Sequence, residues 1–232
     1  AMAQATLAAV EARFGQLAAS WKASNAPPRI ILGSASSSRR QVMDELAAKY
    51  EFSYDVRTAD IDEKAIRHDS PRELVLSLAH AKAAAIKAKM QAANEPMAGF
   101  LLTCDQVVVH EDKILEKPES EAEAREFIAS YARAPPATVG SVLCTDLATG
   151  AASIDVDTAY VHFSPTPIPK YTVDKLLAEG DCMFCAGGLM VEHPLVIPHI
   201  VRMEGSQDSV MGLSKLLVMQ LLLKVSGSGV RS

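Results

Sequence analysis

Residues Ile30 to Arg40 read Ile-Ile-Leu-Gly-Ser-Ala-Ser-Ser-Ser-Arg-Arg, an apolar strand running into small residues, three adjacent hydroxyls and a double arginine. A wholly apolar strand followed by a polar loop and a helix start calls for a helix laid over a sheet, which directs the chain to α/β architectures. The same stretch suits an anion. Small residues let backbone approach a ligand, the helix start offers unpaired N–H groups and the positive end of its dipole, and Arg39 adds planar donors that match phosphate oxygens. Taken alone, Ser36 to Ser38 serve equally well as N-caps, with both arginines in solvent.

The remaining chain continues the alternation. Arg39 to Ala48 predicts a helix with Val42, Met43 and Leu46 on one side, and Phe52 to Val56 a short strand before the acidic turn Ala59-Asp60-Ile61-Asp62-Glu63. Ser70-Pro71-Arg72-Glu73 is a capping box with proline in the first turn; it opens a helix through Leu74, Leu78, Lys82 and Ile86. Phe100 to Cys104 reads as a buried strand broken at Asp105-Gln106, with the apolar run resuming at Val107 to Val109 and returning at Ile114-Leu115. A second capping box, Ser120-Glu121-Ala122-Glu123, starts a helix to about Tyr131. Thr138 to Asp146 and Asp155 to Phe163 flank Thr149-Gly150 and predict an antiparallel pair. A short helix from Tyr171 stops at Gly180, and a last one runs from about Val210 to Lys224. The expected fold is α/β, a mixed twisted sheet flanked by helices, with two lobes around a central cleft. Residues 1–28 are expected to form an N-terminal accessory helical extension, 29–224 the main domain and 225–232 a flexible C-terminal tail.

With 232 residues, 49% of them hydrophobic, the chain can bury a substantial core. Its formal net charge of -5 argues against a surface that neutralises polymeric nucleic acid, so any phosphate is met locally. The longest apolar segment, Leu213 to Leu223, is interrupted by Lys215 and Gln220 and is too short for a bilayer, so no membrane partner is expected. Residues 1–28 contain Glu11 and only Arg13 and Lys22 as basic residues, which suits a helix stopped at Pro27-Pro28; a mitochondrial transit segment is the alternative. Cys104, Cys144, Cys182 and Cys185 are accounted for as reduced, buried thiols of a cytoplasmic protein. Cys182-Met183-Phe184-Cys185 has no second CxxC to complete a zinc site and lacks the flanking residues of a thioredoxin-type redox pair.

A carboxylate inside an apolar run is costly unless a cation, a metal or a proton transfer uses it, which singles out Asp105; the alternative is an aspartate capping a turn at a strand end. Pro118 holds Lys117 in an extended backbone. Lys82 follows Leu78 by one turn, and Glu63 lies in the acidic turn. Each is ordinary alone. Together Arg39, Arg40, Lys82, Lys117, Asp105 and Glu63 supply what phosphoanhydride cleavage needs: cations for oxygen charge, and carboxylates for a divalent metal and water. The six histidines show no tight ligand spacing, so zinc is not expected.

Five blocks in order carry a resemblance: Leu32 to Arg40; Asp60-Ile61-Asp62-Glu63; Ala79-His80-Ala81-Lys82-Ala83; Cys104-Asp105-Gln106-Val107 with Glu116-Lys117-Pro118; and Gly205-Ser206 through Val210-Met211-Gly212-Leu213. From about Ile30 to Leu223 the chain resembles the Maf-type nucleoside triphosphate pyrophosphatases, whose fold is related to that of the inosine triphosphate pyrophosphatases. The resemblance implies phosphate binding by Ser34, Ser36 and Arg39, with Arg40 as a second donor, and Asp105 as the water-activating base. Lys82 and Lys117 also take phosphate positions, and Asp105 with Glu63 would hold Mg²⁺ or Mn²⁺. It associates substrate choice with Ser38, Gln106 and Glu192. The dTTP and UTP branch carries arginine, threonine and glutamine there, whereas Gln106, Cys185-Ala186-Gly187 and Glu192 resemble the branch acting on 7-methyl-GTP. Bacterial members of that branch place tryptophan where this chain has Ser38, and Ser214 replaces a usual proline. The implied protein is a cytoplasmic homodimer that hydrolyses modified nucleoside triphosphates to the monophosphate and pyrophosphate, a sanitising role. The alternatives are a nucleotide-binding regulator of cell division with little turnover, and a dTTP/UTP pyrophosphatase.

Overall fold

Strand β1 (Ile30–Gly33) is buried at every position and pairs in parallel on both sides, with β2 (Asp55–Val56) and β3 (Phe100–His110), which is why it carries no polar side chain. The computed structural model, which describes residues 6–228, continues the sheet with antiparallel strands β5 (Ala137–Asp146), β6 (Ala152–Phe163) and β7 (Ile200–Glu204). The order is β2-β1-β3-β5-β6-β7, with β4 (Lys113–Leu115) folded back on the far end of β3. One face packs against helices α1 (Leu7–Ala23), α2 (Ser37–Tyr50) and α7 (Lys215–Ser228), through a core that includes Phe14, Leu32, Met43, Leu102 and Val218. The other face takes α3 (Pro71–Ala92), which buries Ala79, Ile86 and Met90 against Ile31 and Leu101. Helices α4 (Glu121–Ser130) and α5 (Lys170–Glu179) enclose a third cluster around Ile128, Val173 and Cys182. No helix among the described residues is long and apolar enough to cross a membrane.

The helix starts read from sequence are present as caps. Ser36, Ser70 and Ser120 accept the backbone N–H of Arg39, Glu73 and Glu123, and Pro71 opens α3. Gly33 is needed for close approach: a Cβ there would lie 2.6 Å from Thr103 and 2.7 Å from Ile86.

Strand β7 was not expected, and four further features differ from expectation. Strand β3 is continuous; Asp105 and Gln106 pair with Ser141 and Gly140 of β5, and each polar side chain finds a partner. The last helix is two, α6 (Gln207–Val210) and α7, because Gly212 takes φ +99° between them. Helix α7 begins on a fresh cap, with Ser214 Oγ accepting the Leu217 N–H and Asp208 accepting the Lys215 N–H. It also continues through residues 225–228 with Val225 buried, where a flexible tail was expected. The predicted strand over residues 52–56 shrinks to two residues because Phe52 turns into the aromatic cluster around Phe14. Of the terminal segments, residues 1–5 and 229–232 lie outside the described residues, and α1 packs into the same core as β1 and α7.

Candidate active site

Along one edge of β3, pairing with β1 ends at Thr103 and pairing with β4 begins at Val108, so among the described residues no strand covers Cys104 to Val107 on that side. The chain leaving β1 turns away through Ser34 into α2. A crevice opens at the carboxyl end of the parallel strand, the usual place for a ligand in such a sheet. It is a cavity of about 850 Å³, and every residue singled out above lines it: Ser34, Ser36, Ser38, Arg39, Arg40, Glu63, Lys82, Asp105, Gln106, Lys117 and Glu192.

Alternation along β3 sends Asp105 to the α3 face and Gln106 to the opposite one. Asp105 is 5% exposed, and its Oδ1 accepts from Lys82 Nζ at 2.5 Å. The same ammonium lies 3.0 Å from Glu63 Oε1, so one lysine reaching in from α3 bridges two carboxylates. Glu63 belongs to a short turn in the loop between β2 and α3, which ion pairs Lys64–Glu119 (2.5 Å) and Arg67–Glu116 (3.0 Å) fasten to the connection carrying Lys117. Burial would push the Glu63 carboxyl up, but Lys82, Lys117 and Arg39 outweigh it and hold it below its ordinary 4.5.

Arg39 is half-buried, with Nε donating to the Gly212 carbonyl (3.0 Å) and Nη1 to that of Cys104 (3.4 Å), one of the carbonyls along the edge of β3 that no strand covers. A Cβ at position 212 would lie 2.9 Å from Arg39 Nε and 3.1 Å from Gln106 Oε1. Glycine is therefore part of the arginine's seat, a role that its sequence neighbours do not reveal. Arg40, by contrast, is exposed, where the cavity meets a shallow depression beside Asp44 and Tyr54. Among the hydroxyls, Ser36 caps α2 and buried Ser34 accepts the Ser36 N–H at 3.2 Å, and both line the cavity.

At the three positions that the family resemblance associates with base choice, Ser38 Oγ donates to Glu192 Oε1 at 3.0 Å, joining the start of α2 to the segment after α5. Gln106 Nε2 donates to the carbonyls of Ser209 (2.9 Å) and Val210 (3.1 Å), which commits its hydrogens and leaves Oε1 as an acceptor. The four cysteines are free. Cys104, Cys144 and Cys182 are buried as expected, whereas Cys185 is half-buried and lines the cavity. Its thiol is pushed up to about 11, chiefly by burial and then by Glu192, which makes it a poor nucleophile.

A divalent cation can be tested against the donors present. Asp105 and Glu63 each turn one oxygen to Lys82 and keep the other for a further partner, and no group of three His, Cys, Asp or Glu side chains suited to a metal exists among the described residues. Such a set does not form an all-protein cage. It fits Mg²⁺ or Mn²⁺, hard ions that take one or two carboxylates and complete their shells with phosphate oxygens and water.

Comparison with known proteins gives a family match over residues 29–225 to the model described as "Maf-like protein". A 7-methyl-GTP pyrophosphatase of Dictyostelium discoideum is 36% identical over 199 residues, covering 85% of this chain and 97% of that protein. A nucleoside triphosphate pyrophosphatase of Salinispora tropica is 28% identical over 201 residues, 86% of this chain and 85% of that protein. Another of that name from a Synechococcus species is 30% identical over 193 residues, 79% of this chain and 96% of that protein.

Proposed function

This chain belongs to the Maf-like protein family, and we propose that it is a nucleoside triphosphate pyrophosphatase, cleaving its substrate to the monophosphate and pyrophosphate, with 7-methyl-GTP favoured. The observation that carries the reading is the buried Asp105–Lys82 pair opening onto a cavity that also gathers Arg39, Lys117 and the hydroxyls of Ser34 and Ser36. The names of the relatives support the reaction, and the Dictyostelium protein supports the base.

Hydrolysis at the α-phosphorus needs a water, a proton acceptor and positive charge for the departing pyrophosphate. In this reading Asp105 accepts the proton of the attacking water on the oxygen not facing Lys82. The water oxygen bonds to the α-phosphorus as the bond between the α-phosphorus and the oxygen bridging it to the β-phosphorus breaks, and that oxygen leaves with the electron pair as part of pyrophosphate. Lys82, Lys117 and Arg39 neutralise that charge. Ser34, Ser36 and the α2 N-terminus hold phosphate oxygens, and Arg40 serves at the cavity mouth. Mg²⁺ or Mn²⁺ held by Asp105 and Glu63 would add charge neutralisation at the phosphate oxygens when bound.

The four free cysteines support a cytoplasmic setting. We read the assembly as a homodimer, supported by the outer edge of the sheet at β7, where Val201 is exposed. Assays of GTP, 7-methyl-GTP, dTTP and UTP for pyrophosphate, with and without Mg²⁺, test the reading. Metal-dependent release, fastest in kcat/KM on 7-methyl-GTP, is expected. Stoichiometric nucleotide binding with no pyrophosphate would identify a binding regulator instead, and faster turnover of dTTP and UTP would overturn the choice of base.

A further inference from the structure

The cavity wall formed by residues 181–192 differs in character from the rest of the lining. It contains no lysine or arginine, and its two carboxylates, Asp181 and Glu192, have no ion-pair partner among the described residues; Glu192 holds only the hydroxyl of Ser38. Between them lies Phe184, which is 76% exposed and lines the cavity. The short turn Asp181–Phe184 explains its direction, since Cys182 and Met183 pack into the cluster under α4 and α5 and leave Phe184 to face outward. The Cys185 thiol beside them stays neutral at physiological pH, so it does not alter the wall's negative charge.

An open aromatic face on the same cavity wall as two carboxylates that form no ion pair is matched by a flat cation. Alkylation at N7 gives guanine a delocalised positive charge that the unmodified base lacks. The triphosphate is drawn to the cations around Lys82, which leaves the base for the wall that has none. We propose that Phe184 is the stacking face for the cationic base, with Glu192 and Asp181 as its counter-charges, and that it supplies the aromatic contact Ser38 cannot. The inference takes the identity of the ligand from the pyrophosphatase reading.

The test measures binding of the products 7-methyl-GMP and GMP by calorimetry, beside kcat/KM for the two triphosphates, on the parent, Phe184→Leu and Phe184→Trp. Leucine keeps an apolar side chain without a ring face, and at so exposed a position the fold should survive, which a melting curve checks. The 7-methyl-GMP to GMP affinity ratio should fall about fivefold in Phe184→Leu, the size of a partly exposed cation–π contact, and be kept or raised in Phe184→Trp. The loss in turnover should fall on KM rather than kcat. An unchanged ratio in Phe184→Leu, or equal loss of both ligands, overturns the proposal, as does a parent that binds the two products alike. If the parent prefers 7-methyl-GMP and the ratio responds to Phe184, yet no triphosphate releases pyrophosphate, the stacking face stands and the pyrophosphatase reading falls.

Discussion

Lys82 meets two carboxylates with one ammonium, and that shared contact decides what a substitution at either end does. Asp105→Asn removes the charge that accepts a water proton but keeps an oxygen that Lys82 can donate to, with Glu63 still beside the ammonium. Folding should persist while kcat falls by about two to four orders of magnitude, the range for loss of a positioned general base. Near-parental turnover with an unchanged melting curve would remove Asp105 from the mechanism. Arg39 is fixed by two backbone carbonyls through separate nitrogens, a geometry that a lysine's single ammonium cannot reproduce. Arg39→Lys should therefore lose most of its kcat/KM, whereas Arg40→Lys, at an exposed position, should lose less; the reverse order would mean that the clamp is Arg40. Asp105 was legible in the sequence because a charge in an apolar run demands a reason. Gly212 was not, because what it must avoid, the Arg39 side chain, comes from 173 residues away.

Elements whose signals are local were readable from the chain, and those whose shape depends on distant partners were not. Ser70 and Ser120 announce α3 and α4 because a cap and its helix are neighbours in sequence. Strand β7 escaped because it is short, lies at the sheet edge with Arg202 and Glu204 exposed, and exists through pairing with β6. Asp105-Gln106 looked like a break because their partners, Lys82 and the carbonyls of Ser209 and Val210, cannot be inferred from an apolar run. Helix α1 read as an accessory segment because its alanines obscure a buried stripe of Val10, Phe14, Ala18 and Trp21. Phe14 is fully buried and meets Tyr50 edge-on with centroids 4.9 Å apart. Phe14→Ala should cost about 3–5 kcal/mol, as for other large-to-small changes at an aromatic core position. Urea melts read it directly, and a loss under about 1 kcal/mol would show that α1 adds little to the core, since a single buried methylene alone is worth about 0.8 kcal/mol.

At the scale of the whole molecule, a net charge of -5 coexists with a local gathering of Arg39, Lys82 and Lys117 at the end of β1. The sheet creates that gathering: β1 ends before β3 does, and the gap collects side chains from α2, from α3 and from the connection after β4. Five separate sequence blocks become one cavity in this way, so the site was legible as a set of blocks while its internal contacts, including Ser38 to Glu192, were not. Water attack at the α-phosphorus, not at the β- or γ-phosphorus, decides where a solvent oxygen ends up. Hydrolysis of 7-methyl-GTP in heavy-oxygen water, with mass analysis of both products, tests it most directly. Attack at the α-phosphorus puts one heavy oxygen in 7-methyl-GMP and none in pyrophosphate; label in pyrophosphate with an unlabelled monophosphate, or label in inorganic phosphate released from the γ-position, would place the attack elsewhere.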